Sequence, residues 1–200
     1  MSCRFDLTHY RELLEAAKTA GYAWASFDRH PRQGDLFLRH DVRISLEAAL
    51  ETARLEHDLG VRATYLLMTE SAFYNLSSHV GLYAQRQLRQ WGHAVGLHAV
   101  HPRADLDRRF DKVLSWHNPD PSYEREPLLD GVNVAAPPYG EHVLSDRNGC
   151  PHEQIASGEA DWVQVVLHPE LWVHGSVAAM LAAKGEQWFQ YLDTDGLELP

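Results

Sequence analysis

The sequence predicts an α/β protein whose parallel strands form a (β/α) barrel. Segments with strand character alternate along the chain with segments of helical periodicity, and this alternation favours parallel strands joined by right-handed crossovers. Four strand segments end on histidine or aspartate: residues 36–41, 94–98, 113–117 and 163–168. In a parallel barrel the carboxyl ends of the strands carry the site, so this pattern predicts an enzyme or the remains of one.

The elements of the first half follow a regular order. They are a lead-in helix at 7–20, a strand at 36–41, a helix from Ser45 to Gly60, a strand at 63–68, a helix from Ser77 or Ser78 to Gly92, and a strand at 94–98. Serine is a favoured N-cap residue, and glycine accepts the positive φ with which many helices end. Gly21, Gly60 and Gly92 therefore predict where the three helices stop.

The alternation of strand and helix patterns is less clear after residue 98. Residues 101–105 can start a short helix, whereas residues 118–129 hold three prolines and no periodicity, which predicts a long loop. The later elements are a short strand at 131–135, the strand at 163–168 and a small-residue helix at 176–183. Between them, Ser145 and Asp146 lie in a polar stretch that we interpret as an Asx-type turn.

Length and composition predict one domain spanning residues 1–200, of which residues 1–34 form an N-terminal helical lead-in. A formal net charge of -10 argues against nucleic acid as a partner, and a neutral or cationic ligand fits it better. The chain shows neither the apolar core of a signal peptide nor an apolar run long enough to span a membrane, which favours a cytoplasmic protein. Cys3 and Cys150 offer no disulfide framework.

Five ordered segments carry a resemblance to a known family. They are Arg39-His40-Asp41-Val42 before a capped helix, residues 59–65, residues 73–75, residues 92–98 and residues 167–172. Together they resemble the polysaccharide deacetylase superfamily, and more narrowly its divergent NodB-like branch, over residues 36–172. The resemblance implies a distorted (β/α) barrel of about seven strands. It also implies a divalent metal, expected to be zinc, and hydrolytic removal of an N-acetyl group from an amino sugar or polysaccharide precursor.

The expected chemistry explains why such residues are needed. Attack of water on an amide requires a base that takes the proton of water and an acid that protonates the leaving amine. A metal ion that polarises the carbonyl and activates the water removes much of the barrier. By the resemblance, Asp41 is the base and His168 is the acid. The metal ligands that it implies are His98 and His101, and Asp41 joins them as a ligand if the site is rearranged as described below. The substrate-binding candidates are Arg39, His117, Tyr139 and Trp172, whose aromatic members suit stacking on a sugar.

Three positions depart from the motifs of the family. Arg43 stands where the family carries a second aspartate as a metal ligand, and a guanidinium group has no lone pair to offer. His98 and His101 are three residues apart, one residue closer than the usual spacing. Ala136 stands where the family has an arginine that orients the catalytic aspartate, which leaves Arg39 or Arg43 to take that role.

Two models follow from these departures. In the first, Asp41 becomes a metal ligand beside His98 in a rearranged site. The further candidates for this site are His101, His117 and His40 as the third ligand, and Glu70 and Asp105 as the base. In the second, the charge of Arg43 replaces the metal, and the protein binds carbohydrate or acts as a scaffold in polysaccharide biosynthesis without hydrolysis. A more distant alternative is a metal-dependent amidohydrolase that acts on small amides.

Overall fold

The computed structural model describes residues 4–100, 109–117 and 131–194, with side chains described as far as residue 187. The strands in these residues are β1 (Ala23–Trp24), β2 (Asp35–Val42), β3 (Thr64–Leu67), β4 (Ala94–Ala99), β5 (Val113–Trp116), β6 (Val132–Asn133), β7 (Val143–Ser145) and β8 (Trp162–Leu167). The helices are α1 (Leu7–Thr19), α2 (Leu46–Asp58), α3 (His79–Gln90), α4 (His152–Ser157), α5 (Pro169–His174) and α6 (Val177–Thr194). A 3-10 turn at Asp146–Asn148 follows β7.

The described strands all join one parallel sheet that curls into a half-barrel. Along the curl the order is β6, β5, β4, β3, β2, β8 and β7, and β1 pairs with the start of β2. The strand β2 is central, because its residues 35–40 pair with β8 and its residues 39–42 pair with β3. The α/β class and the barrel-like parallel sheet predicted from the sequence are therefore confirmed in this coarse form.

Strand alternation separates two hydrophobic cores. Every residue of β2 is buried, so both faces of this strand are covered. Leu36 and Leu38 join the larger core, which also contains residues of α1 and α2. Phe37, from the alternate set, joins a smaller core on the concave face with Phe27 and Leu66. The same alternation decides which polar side chains of β2 enter the concave face.

The starts of two helices follow the predicted capping residues. Ser45 and Ser78 each accept, through the side-chain oxygen, a hydrogen bond of 3.1 Å from a backbone nitrogen three residues later. The ends follow the predicted glycines as well, since Gly60 and Gly92 lie just beyond α2 and α3 with φ of 67° and 85°. Local sequence chemistry therefore sets the bounds of the helices that flank the sheet.

The later elements differ from the sequence interpretation. The last strand ends at Leu167, and His168 is the residue that precedes α5, because Pro169 fits the first turn of a helix and cannot continue a ladder. The final helix, predicted at 176–183, is the longer α6. The sequence pattern misses β1, β7, α4 and α5, because elements of two to six residues are too short to show a period.

Some of the predictions fall outside the described residues. These are the short helix at 101–105, the loop at 118–129 and any role of Cys3. Within the described part of the chain, Cys150 is a free thiol. None of the helices there has the length and apolar character that crossing a bilayer requires.

Candidate active site

The carboxyl ends of the strands carry a cluster of polar side chains on the concave face. Arg39 and Asp41 occupy alternate positions of β2 on this face. His98 lies on β4, and His117 follows β5 directly. The Oδ2 atom of Asp41 lies 3.9 Å from Nε2 of His98, and this nitrogen lies 3.1 Å from Nδ1 of His117. The fold therefore brings together four of the site residues that the sequence predicts.

Arg39 holds Asp41 in a bidentate ion pair. The guanidinium Nε and Nη2 atoms donate to the two carboxylate oxygens at 2.7 and 2.8 Å, and both side chains are buried. Burial raises the pKa of the Asp41 carboxyl, but the charges of Arg39 and nearby histidines lower it more, so that the pKa lies well below its usual range. Of the two arginines that the sequence leaves open, Arg39 is therefore the one that orients the aspartate.

Gln164 on β8 fixes the other side of Arg39. Its Oε1 accepts a hydrogen bond from Nη1 of Arg39 at 3.1 Å. Its Nε2 donates to the backbone oxygens of Val134 and Tyr139 at 2.9 and 2.8 Å. The sequence pattern does not single out this buried residue. Alternation along β8 could have indicated it, because Gln164 lies on the same face as His168.

His98 and His117 form a hydrogen-bonded pair beside the ion pair. Nδ1 of His98 lies 2.8 Å from Oγ of Ser115, and its Nε2 contacts His117. Burial lowers the pKa of His98 to about 3, despite the opposing charge of Asp41. Burial and the charge of Arg43 also lower the pKa of His117. Both rings are therefore neutral at neutral pH, and each can accept a hydrogen bond through one ring nitrogen.

His168 forms a dyad with Asp146, which lies in the 3-10 turn after β7. Oδ1 of Asp146 lies 2.6 Å from the ring Nδ1, and Oδ2 accepts a hydrogen bond from the backbone nitrogen of His168 at 2.7 Å. Trp172 donates its indole N–H to the same Oδ2 at 3.0 Å. Interpreting Asp146 as a turn residue misses these contacts, because one sequence alone does not link residues that lie 22 positions apart.

A cleft of about 490 Å³ opens at this edge of the sheet. The polar side chains in its walls are those of Arg43, Glu70, Ser71, His117, Arg147, His168 and Glu170. Among the residues that the sequence singles out, Arg43, Glu70, His117 and His168 therefore line the cleft. Arg39, Asp41 and His98 are buried and do not line it. The polar groups of the site therefore form two layers. The lining side chains face the cleft, whereas Arg39, Asp41 and His98 are buried behind its wall.

Three buried polar atoms of the cleft residues have no hydrogen-bond partner in the described part of the chain. They are Nε of Arg43, Nε2 of His168 and Oε2 of Glu170. Folded proteins leave few buried polar atoms unsatisfied, so three of them on one cleft indicate a surface that meets a polar ligand. Burial also raises the pKa of the Glu170 carboxyl, which therefore takes up a proton more readily than an exposed glutamate does.

Two aromatic residues predicted to bind substrate lie away from the cleft. Trp172 is fully buried and packs against Tyr10 of α1, so it supports the dyad from behind. Tyr139 packs against Phe27 in the smaller core. Neither Trp172 nor Tyr139 is among the residues that line the cleft. Aromatic character alone does not separate a core ring from one that stacks on a sugar.

His40 lies on the opposite face of the sheet, because it alternates with Arg39 and Asp41 along β2. Its Nε2 lies 2.6 Å from Oε1 of Glu56, and its ring stacks on Tyr65. The candidate role of His40 as a third metal ligand is therefore not supported. Its environment is a buried network between the sheet and the helices.

The described residues do not offer a ready metal site. Among them, no group of three or more histidine, cysteine, aspartate or glutamate side chains has the geometry to hold an ion. Both oxygens of Asp41 are engaged by Arg39, and both nitrogens of His98 have protein partners. The positive charge of Arg43 acts on both Asp41 and His98, so these donors do not fit a divalent cation in this arrangement. The candidates His101 and Asp105 lie outside the described residues.

Comparison of the chain with protein-family models, with curated proteins and with solved structures gave no match. What the site can do therefore has to follow from its own residues.

Proposed function

We propose that the chain is a hydrolase that removes an acyl group from an amino sugar, as its resemblance to NodB-like deacetylases implies. The observation that carries this proposal is the Asp146–His168 dyad, whose histidine lines the cleft. A histidine whose Nδ1 is held by a carboxylate and whose Nε2 is unengaged is arranged for proton transfer at Nε2.

In this proposal His168 donates a proton from Nε2 to the nitrogen of the leaving amine. Amide hydrolysis needs such a step, because an amine is a poor leaving group until it is protonated. Asp146 keeps the ring in one orientation and stabilises the imidazolium that gives up the proton. Glu170 lies on the same cleft and offers the substrate a second hydrogen-bonding group. No step is assigned to a metal ion, since the described donors around Asp41 do not fit one.

Asp41 is the base that the resemblance implies for the attacking water. Its bidentate contact with Arg39 fixes its position, but a carboxylate whose pKa lies well below the usual range is a weak base. This observation favours a second candidate function, in which the cleft binds carbohydrate without hydrolysis as part of polysaccharide biosynthesis. Carbohydrate is the partner in both candidates, and the cytoplasmic location expected from the sequence stays a prediction.

Acetate release tests the proposal directly. The purified protein is incubated with a panel of neutral and acidic N-acetyl sugars and oligosaccharides, and free acetate is measured by proton NMR. His168→Asn should lower the rate by at least about a hundredfold, because it removes the general acid. The matched control is His79→Asn at the exposed start of α3, which should leave the rate unchanged.

Two results would count against hydrolysis by this dyad. An unchanged rate in His168→Asn would remove the dyad from the mechanism. The wild-type protein could instead bind sugars of the panel and release acetate from none of them. That result would favour the second candidate function, carbohydrate binding without hydrolysis.

A further inference from the structure

The cleft carries two arginines that no carboxylate pairs with in the described residues. Arg43 lies two positions after Asp41, and Arg147 lies in the 3-10 turn beside Asp146. Both arginines line the cleft, and neither forms an ion pair with a described residue. The neighbouring carboxylates are already engaged, because Asp41 is held by Arg39 and Asp146 contacts the ring of His168.

The carboxylates that line the cleft form no direct ion pair with these two arginines in the described residues. Glu170 lies within electrostatic reach of Arg43, yet its Oε2 has no described hydrogen-bond partner, and burial raises the pKa of its carboxyl. Glu70 has an interaction with a neighbour of its own. Both guanidinium groups stay protonated at any ordinary pH. Arg43 and Arg147 therefore bring into the cleft two positive charges that no direct ion pair neutralises in the described residues, although the formal net charge of the chain is -10.

We infer that the sugar bound in this cleft is acidic, carrying a phosphate or a carboxylate, and that Arg43 and Arg147 bind this anion. The inference rests on the proposed assignment of carbohydrate to the cleft and goes further by giving the sugar a charge. A planar guanidinium group matches two oxygens of a phosphate or a carboxylate, which a neutral sugar does not offer. An anion between the two arginines also relieves the repulsion of their like charges.

The buried Nε atom of Arg43 supports this assignment independently of total charge. Its Nε atom is buried and has no hydrogen-bond partner in the described chain, so this N–H donor is left for an acceptor in the cleft. Arg43 and His168 line the same cleft of about 490 Å³, a volume that falls within the range of about 300–1,000 Å³ typical of small-ligand sites. The anion and the acyl group therefore belong to one small substrate.

The two arginines of the cleft lead to a different ligand from the one that the net charge of the chain predicts. A net charge of -10 favours a neutral or cationic ligand when the charge is treated as uniform. Interactions between exposed charges are largely screened beyond about 10 Å at 0.1 M salt, so the groups that line the cleft dominate what it binds. Added salt should therefore weaken the binding of an acidic sugar and leave that of a neutral sugar unchanged.

Isothermal titration calorimetry on the full chain tests the inference. The probes are N-acetylglucosamine 1-phosphate, N-acetylmuramate, neutral N-acetylglucosamine and inorganic phosphate. We expect one of the two acidic sugars to bind at least about tenfold more tightly than the neutral sugar. Arg43→Gln and Arg147→Gln should each weaken this acidic sugar by about tenfold, while the neutral sugar changes by less than about twofold.

The matched control is Arg54→Gln on α2, where the exposed Arg54 pairs with Asp58 away from the cleft, and it should bind all probes as the wild type does. If Arg43→Gln fails to fold, the exposed Arg147→Gln decides the question alone. Equal affinities for acidic and neutral sugars would overturn the inference, as would wild-type affinity in Arg147→Gln. Inorganic phosphate that binds as tightly as the sugar phosphate would overturn the sugar assignment. Tight binding of an acidic sugar without acetate release would support the anion site. This result would count only against the proposed hydrolysis.

Discussion

Asp146 contacts His168 at two points, with Oδ1 2.6 Å from the ring Nδ1 and Oδ2 2.7 Å from the backbone nitrogen. The two residues directly follow β7 and β8, which pair in parallel. Parallel pairing puts the carboxyl ends of both strands at the same edge of the sheet, so the carboxylate reaches the imidazole from the neighbouring strand. The orientation of His168 therefore depends on a residue that lies outside its own strand.

Asp146→Asn should lower kcat for acetate release by about 10²–10⁴ and leave KM nearly unchanged, because an amide cannot stabilise the imidazolium of His168. Asp146→Glu keeps the charge and should restore part of kcat, which a purely structural role of Asp146 does not predict. Steady-state kinetics of acetate release measure both parameters. Asp161→Asn, at an exposed position, is the matched control. Wild-type kcat in Asp146→Asn would show that the dyad has no part in the reaction.

Asp41→Asn should destabilise the fold by about 3–5 kcal/mol, because it leaves the charge of Arg39 buried without a partner. Urea unfolding followed by circular dichroism measures the change in the free energy of unfolding. The double variant Arg39→Met with Asp41→Leu should recover part of this loss, since it removes both charges together. Asp58→Asn breaks the exposed pair with Arg54 on α2 and should have little effect. A fully stable Asp41→Asn variant would mean that the ion pair contributes nothing to the fold.

The buried carboxylate of Glu56 should make the protein sensitive to acid. Tyr10, Tyr65, His40 and His93 all face it, and Tyr10 and Tyr65 donate their hydroxyl groups to it. Burial raises the pKa of Glu56, but the charge of His40 and these hydrogen bonds lower it more, so the folded-state pKa lies below the ordinary value of 4.5. Stability is therefore fully present above the ordinary pKa and is lost as the pH falls through the folded-state pKa.

Glu56→Gln should accordingly lower the free energy of unfolding at neutral pH by about 2–4 kcal/mol and flatten its decline in acid. Urea unfolding at a series of pH values from neutral to acidic measures both effects. Glu51→Gln, on the exposed side of α2, is the control and should retain the wild-type profile. An equally steep acid decline in Glu56→Gln would assign the acid sensitivity to another group.

The strand-end pattern predicts several site residues because alternation and strand ends are local properties. Asp41, His98 and His117 meet as the pattern implies, within hydrogen-bond or near-contact distances. The pattern cannot separate Asp41 from the adjacent His40, however. A strand buried on both faces shows no polar side from which the inward face could be read.

The contacts that complete the site were beyond sequence reasoning for a different reason. Gln164 contacts Arg39 across 125 residues, and Asp146 contacts His168 across 22 residues. Such pairs depend on strand order, and the pattern misses β7, the short strand that delivers Asp146. Trp172 shows the opposite error, since its sequence position suggests a cleft wall but its indole is buried behind Asp146.

Metal analysis separates the zinc enzyme implied by the resemblance from the arrangement seen here. Because Arg39 engages both oxygens of Asp41 and Arg43 adds a second positive charge, we expect far less than one zinc ion per chain after dialysis with zinc and then metal-free buffer. Inductively coupled plasma mass spectrometry measures the content. Arg43→Asp should raise it, since a carboxylate then replaces a cation two residues after Asp41. About one zinc ion per wild-type chain would contradict this prediction and restore the metal-dependent mechanism, with His101 as the next ligand to test.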